Sequence, residues 1–480
     1  MNINSNSVAW LKLGVVSLGF AGLYSIILVV LRTPQLASFF PNPYIFKSAL
    51  IIHVDLSVLI WLLSITASVW SLSFPHPSLS FPQKRETSRM DLVIKSRDDK
   101  CVIYPKLAFL ATIFISISPI AGHNPVMNNY IPMLENIIFI LGLSLFGVIL
   151  LLYTINILYL FDWANWSSLI NFTILSTIIM YILTWICFGW SYNNLQNIIQ
   201  IIPIEIEFYY ELLFWSGGHL LQFIYTQIAM FIWVILLQKL KYEELKFQKF
   251  YLFLLYLNFV FGTLIIFGHI FYDIIDGGFK EFYTNHMKYL GGIAPSLCVG
   301  GMGFEWICHS RVGGNREKKE WIPAFAGMTN SVIKATLLCS IILFLLGGLI
   351  AMNISGINVV IPAHYHGSIV GISIACMGYC YCIVPAKAGI QKVTDSCFRG
   401  NDIKNGITIT LYFLTFGQVL HILGLAFAGG YGVMRKDPNT VMPLSAKLLM
   451  GMMGGGGLIA IVGGLMFVYI CGKIMFFKNK

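Results

Sequence analysis

The residues best placed for chemistry are histidines lying in runs too apolar for water. The 480-residue chain has ten histidines. Seven of them (His53, His219, His269, His286, His364, His366 and His421) fall inside or at the ends of long apolar stretches. An ionisable side chain costs free energy inside a bilayer, so each is a candidate functional group. The triplet His364-Tyr365-His366 is the sharpest. Residues two apart on a helix are separated by about 200°, so the two imidazoles point to nearly opposite sides and one helix can serve two neighbouring cofactors. Imidazole is a common axial ligand of haem iron. A low-spin haem takes two axial groups, and His53 is the candidate for the second. His219, His269 and His286 together would form a nitrogen-rich site for copper or non-haem iron facing the other haem.

The elements that must hold these side chains follow from composition. The chain is 57% hydrophobic and only 11% charged, against about 25% charged in a soluble domain, and its mean hydropathy is +0.76. A spanning helix needs roughly 20 mostly apolar residues. Twelve such stretches are read, at about 11–31, 45–72, 105–122, 131–160, 167–190, 209–237, 249–270, 285–306, 333–353, 358–386, 405–428 and 448–475. The expected fold is an all-α membrane protein, a bundle of twelve transmembrane helices forming one polytopic domain over residues 1–480. The first stretch lacks a charged leader and a small-residue cleavage site, so it reads as a retained helix.

The net charge of +10 would suit a nucleic-acid partner, but its distribution argues otherwise. Lys and Arg cluster in alternate loops, at Lys84–Lys100, Lys239–Lys249, Arg316–Lys319, Lys387–Arg399 and Lys473–Lys480, whereas the loop with Glu205, Glu207 and Glu211 is acidic. This is the positive-inside pattern, with both termini cytoplasmic and the chain multi-pass in a bacterial inner membrane. The partner is the lipid bilayer, and no nucleic acid is implied. With that orientation, His53, His219, His269, His286, His364 and His366 converge in one layer toward the outer face. A single buried histidine is usually a packing contact; six at one depth are a site. The ten cysteines form no CxxC and no CxxCH, so neither a zinc ribbon nor a covalently attached haem is indicated, and Cys380 and Cys382 read as packing residues.

Three polar segments interrupt the pattern: 79–104, 309–330 and 385–404. Their stretches WIPAFAGMT and AGIQKVTDSCFRGND resemble peptides encoded by palindromic repeat elements inserted into bacterial genes. Loops accept such insertions because added length costs little chain entropy and displaces no core.

Several stretches resemble subunit I of the haem–copper oxidases: HVDLSVLIW from His53, FWSGGH ending in His219, FYT at 282–284, PAHYHGSIVG around His364 and His366, and GYGVMRK at 430–436. The resemblance spans nearly the whole chain apart from the three polar segments. It implies a twelve-helix fold with two haems, one low-spin between His53 and His366 and one high-spin on His364. It also implies a copper, or a non-haem iron, on His219, with Trp215 beside that site and Arg435 and Lys436 on the haem propionates. The implied activity is reduction of dioxygen to water in a respiratory terminal oxidase. Other subunits would accompany the chain, and cytochrome c or another external donor would supply electrons.

The chain departs from that pattern in three places. The family carries two adjacent histidines where this sequence has Gly268-His269, so His286 is the expected third metal ligand. The run after His219 is Leu220-Leu221-Gln222-Phe223 in place of Pro-Glu-Val-Tyr, and the alternative tyrosine position is Gly262. Gln222 and Tyr225 are therefore the polar candidates near the reacting oxygen. The helix-6 glutamate of the proton route is absent; Glu211 lies two turns earlier. These departures favour nitric oxide reductase as the rival within the same fold. A non-catalytic haem-binding transporter or sensor is the rival of another class, and it would have no use for His219 and His269.

Overall fold

The structure is a computed structural model that describes residues 5–32, 44–73, 101–241, 245–310, 329–387, 400–434 and 443–476. Eleven described helices are long and apolar enough to cross a membrane. They are α1 (Ser5–Arg32), α2 (the span Tyr44–Trp70), α3 (Ile103–Ile117), α4 (Ile137–Leu160), α5 (Leu169–Ile199), α6 (Ile206–Lys241), α7 (the span Gln248–Phe271), α10 (Asn330–Ala351), α11 (Val360–Lys387), α12 (Gly400–Gly430) and α13 (Leu444–Phe476). Between α7 and α10 the expected span at 285–306 is two shorter helices, α8 (Gly277–Leu290) and α9 (Ile293–Ser310). The break falls on Gly291-Gly292, the residue type that most weakens a helix interior after proline. Pro295 then sits in the first turn of α9, where its missing N–H costs nothing. The buried residues of α8 are Phe279, Tyr283 and His286, a spacing of four and three that sets them on one face.

Most of the three polar segments, at 79–100, 311–328 and 388–399, lies outside the described residues, as do Arg435 and Lys436.

The chain divides into two compact units. The first comprises Met1–Ala21, Phe40–Phe231 and Leu252–Gly291; the second comprises Gly22–Phe39, Ile232–Tyr251 and Gly292–Lys480. In the first unit, the stretch expected to begin the fourth span at 131 instead forms part of a hairpin. Strand β1 (Pro125–Val126) pairs antiparallel with β2 (Met133–Leu134). Asn136 then caps α4, accepting from the Phe139 N–H at 2.9 Å and donating to the carbonyls of Ser118 and Gly122. An Asn N-cap meets one of the helix's otherwise unpaired N–H groups, which is why α4 starts six residues late.

In the second unit, α10 and α11 approach backbone to backbone. A Cβ on Gly347 would lie 2.6 Å from Ser368 Oγ, and one on Gly367 would lie 2.6 Å from Gly347 Cα. The same holds for α12 and α13, where a Cβ on Gly417 would meet the Gly456 carbonyl at 2.6 Å. Small residues at such crossings let helices pack closely where lipid offers no hydrophobic drive between them. The glycine run at 450–457 is read this way in part: Gly456 is at the crossing, whereas a Cβ on Gly451, Gly454 or Gly455 would meet nothing within 4 Å.

Candidate functional site

In the first unit His53 lies on α2, just before a π-helical turn at Asp55–Ile60. Single π turns inside α-helices recur at functional sites. The His53 Nδ1 is 2.9 Å from the Ala21 carbonyl oxygen. A carbonyl only accepts, so Nδ1 carries the proton and Nε2 is the nitrogen with the lone pair. Two residues on, Asp55 is 1% exposed, and neither of its carboxyl oxygens has a hydrogen-bond partner.

A second group of rings gathers around the middle of α6. His219 Nδ1 bonds back to the Trp215 carbonyl at 2.6 Å, and its Nε2 receives the Tyr130 hydroxyl at 2.8 Å. Tyr130 comes from the hairpin, where the Asn128 side chain accepts from the Tyr130 and Ile131 N–H groups at 3.0 and 2.8 Å. This Asx-type turn fixes the loop by local side-chain bonds. Gly218 admits the tyrosine, since a Cβ there would meet Tyr130 Cβ at 2.6 Å. Trp215 sits edge-on to Tyr130, with centroids 5.4 Å apart, and Lys280 Nζ lies 4.7 Å from its ring. Lys280 pairs with Glu211, which also accepts from Asn129. Glu211, read from sequence as part of an acidic loop, is thus in an ion pair whose lysine lies over the tryptophan.

His269 ends α7 after a 3-10 turn at Leu264–Ile266. Its Nε2 is 2.9 Å from Ser216 Oγ, it stacks on Trp190 at 5.2 Å, and its Nδ1 is buried without a partner. His286, on α8, bonds through Nε2 to the Phe261 carbonyl at 2.8 Å, and its Nδ1 is likewise buried without a partner. Tyr283 stands between two of these histidines: its ring centroid is 5.7 Å from that of His219 and 6.1 Å from that of His269.

Among the described residues no three histidine, cysteine, aspartate or glutamate side chains gather closely enough to hold a metal ion. His219, His269 and His286 are thus not assembled as a three-imidazole centre, and each Nε2 has a protein partner. A copper held by three imidazoles does not fit this arrangement. Gln222 is half-buried one turn after His219. Tyr225 is buried, with Tyr181 and Asp55 as electrostatic neighbours.

In the second unit His364 and His366 open α11 on different sides. His364 Nδ1 bonds to the Gly347 carbonyl of α10 at 2.9 Å, and His366 Nδ1 bonds to the Pro362 carbonyl of its own helix at 2.8 Å. In both rings Nδ1 therefore carries the proton, and Nε2 is the nitrogen with the lone pair. His366 stacks on Tyr365 and lies 4.9 Å from the His421 ring. His421 itself bonds to the Met453 carbonyl at 2.9 Å, the helix-packing contact its position suggests. His123, two residues before β1, bonds to Ser48 Oγ at 3.0 Å. The eight described cysteines, Cys380 and Cys382 among them, are buried and form no disulfide with one another.

The chain is 65% identical over 496 residues to the uncharacterized protein RP382 of Rickettsia prowazekii (strain Madrid E), an alignment covering 99% of this chain and 96% of that protein. The chain belongs to the RP382 family. An uncharacterized protein of Aquifex aeolicus (strain VF5) is 25% identical over 392 residues, covering 80% of this chain and 86% of its own length. No protein-family profile matches the chain. A solved haem–copper terminal oxidase dimer superposes with a TM-score of 0.61 at 15% identity, covering 99% of this chain and 83% of that one. The RP382-family chain thus has the haem–copper oxidase subunit I fold, as the histidine-bearing stretches imply.

Three members of the site escaped the sequence. Tyr130 gave no signal, because it lies one residue before the span read at 131–160 and neither its type nor its spacing points to His219. Tyr283 was visible only as part of the FYT landmark. Asp55 carried the plainest signal, a carboxyl inside an apolar run.

Proposed function

We propose that this chain is the haem-bearing catalytic subunit of a respiratory oxidase in a bacterial inner membrane, with both termini cytoplasmic. His53 and His366 would hold a low-spin haem, and His364 would hold a high-spin haem. The activity would be reduction of dioxygen to water, with electrons delivered by partner subunits from cytochrome c or another external donor. The observation that carries this reading is the shared tautomer of His53, His364 and His366. Each Nδ1 proton is committed to a main-chain carbonyl, which leaves Nε2 as the basic nitrogen a haem iron takes. Those residues fit haem. When bound, haem supplies the redox chemistry, while the protein orients and tunes it.

The chain's own residues do the holding. The Ala21, Gly347 and Pro362 carbonyls fix the tautomers, and Trp215, whose ring carries the Glu211-paired Lys280, packs edge-on against His219 at 5.3 Å. Nitric oxide reduction is the second reading, favoured by Gly268 where the family has an imidazole and by the tyrosine-free run after His219.

The test is the optical spectrum and haem content of the purified chain. Two haems per chain are expected, and His53→Ala or His366→Ala should each remove the low-spin spectrum while the protein remains inserted. Retention of that spectrum in both variants refutes the ligand assignment. Fast nitric oxide turnover with negligible oxygen uptake would select the second reading.

A further inference from the structure

The end of α7 and one flank of α8 leave a cavity of about 600 Å³ between them, within the range of about 300–1,000 Å³ that ligand sites occupy. Its level in the membrane follows from the two helices. The α7 span ends at Phe271. α8 has 14 residues, about 21 Å of helix, too short for a hydrocarbon layer of about 30 Å. It buries Phe279, Tyr283 and His286 and exposes Glu281, Thr284 and Lys288, the pattern of an amphipathic helix at a membrane boundary. The cavity is therefore at the level of lipid head groups. Leu264, Phe267 and Phe282 give it apolar walls. Tyr272 lines it because Gly278 admits the ring: a Cβ on Gly278 would lie 2.8 Å from Tyr272 Cδ1.

The charge and the lone pairs in the lining come from α8. Glu281 and Asn285, four residues apart, share a helix face, and His286 follows. His286 donates its Nε2–H to the Phe261 carbonyl at 2.8 Å, so Nδ1 keeps its lone pair. That nitrogen is buried without a partner, on a side chain only 7% exposed. A buried acceptor left unpaired costs free energy. The two ion pairs among the described residues, Lys241–Glu305 and Lys280–Glu211, leave Glu281 out, and the lining holds no Lys or Arg. The matching occupant has an apolar body and a positively charged head that donates N–H. We infer that the cavity binds one phospholipid with a primary ammonium head, a phosphatidylethanolamine. Such an ammonium has three N–H donors, one for the Glu281 carboxylate and one for the His286 lone pair. Lys288 takes the phosphate; its ammonium lies 5.5 Å from the ring of Tyr289, which also lines the cavity. The acyl chains run over the exposed Phe267, Ile270 and Phe271 at the end of α7. A choline head has no N–H to give, and a glycerol head has no positive charge. The site uses none of the haem ligands and stands whatever redox chemistry the chain performs.

The test uses the purified full-length chain, stripped of lipid in detergent and titrated with dioleoyl phosphatidylethanolamine, phosphatidylcholine or phosphatidylglycerol. Native mass spectrometry counts the lipids held, and a photoactivatable phosphatidylethanolamine locates them by peptide mapping. One phosphatidylethanolamine per chain is expected, bound at least tenfold more tightly than either other lipid, with cross-links in 264–290. Glu281→Gln should reduce that preference at least fivefold. His286→Phe, which keeps a ring but no lone pair, should weaken phosphatidylethanolamine binding as well. Glu205→Gln, at an exposed carboxylate outside the cavity, should leave binding intact. Circular dichroism checks that each variant keeps its helix content, and Glu281, being exposed, can be changed without disturbing the core. Equal retention of the three lipids overturns the proposal, and so does full preference in Glu281→Gln. Cross-links confined to other helices, or no lipid held by the parent chain, overturn it equally.

Discussion

Glu305 on α9 is a buried charge whose removal should destabilise this chain strongly. It is fully buried, and its partner Lys241 is 8% exposed. One carboxylate oxygen takes the Lys241 ammonium, and the other takes the Phe247 N–H at 2.9 Å. Lys241 also donates to the Glu305 main-chain carbonyl at 2.7 Å. Glu305→Ala strands a buried ammonium with one carbonyl and leaves the Phe247 N–H unpaired. Removing one member of a buried pair costs about 3–5 kcal/mol, of which an orphaned N–H accounts for roughly 1–3 kcal/mol. Glu305→Gln keeps acceptors for both donors and should lose only about 1–3 kcal/mol, the worth of a charged hydrogen bond. Replacing both members with Lys241→Met/Glu305→Leu removes the stranded charge, and such apolar replacements are often near neutral. The double variant should therefore be more stable than Glu305→Leu alone, with a coupling of about 1–3 kcal/mol across the cycle completed by Lys241→Met. Unfolding in mixed micelles by titration with sodium dodecyl sulfate, followed by tryptophan fluorescence, reads the parent and each variant. Additive losses, with the double variant at least as unstable as Glu305→Leu, would refute the pairing argument.

Two further outcomes are expected. Gly347→Ala puts a methyl against Ser368 and the Gly367 main chain; overpacking of this kind costs about 1–3 kcal/mol, and it should shift the carbonyl that orients His364, lowering high-spin haem content more than low-spin in the optical spectrum. Deleting 309–330 and joining α9 to α10 with a short linker should leave expression and haem content unchanged, because loop length enters chain entropy only logarithmically; loss of haem at normal expression would show that the segment belongs to the fold.

The spans were legible because hydropathy needs no partner to be read. α1, α5, α7 and α11 fall within a few residues of their apolar runs except where polar residues extend a helix, as at Ser191–Ile199 of α5. The hairpin at Pro125–Leu134 was hidden because Ile131, Met133 and Leu134 are apolar, and only the Asn136 cap marks where α4 begins. The interruption at Gly291-Gly292 was present in the letters but outweighed by the surrounding hydropathy. Individual histidines were legible as a set, since charge inside a bilayer is rare. Their hydrogen bonds were not, because Ala21, Gly347 and Phe261 contribute main-chain carbonyls that carry no sequence signature.

Two ways of fixing an imidazole operate in this chain, and they differ in what they depend on. His219 and His366 bond to carbonyls four residues back in their own helices, Trp215 and Pro362. Such a bond survives any rearrangement of neighbours, because the helix carries both partners. His53, His364 and His421 bond to other helices, at Ala21, Gly347 and Met453. Those rings hold their tautomer only while the helices stay in contact. Closeness there is supplied by glycine. Gly347 lets α10 meet α11, and Gly456 lets α13 meet α12, where a Cβ would lie 2.5 Å from the His421 N. The glycines of the second unit thus set the distance at which a main-chain oxygen decides which imidazole nitrogen carries the proton and which keeps its lone pair.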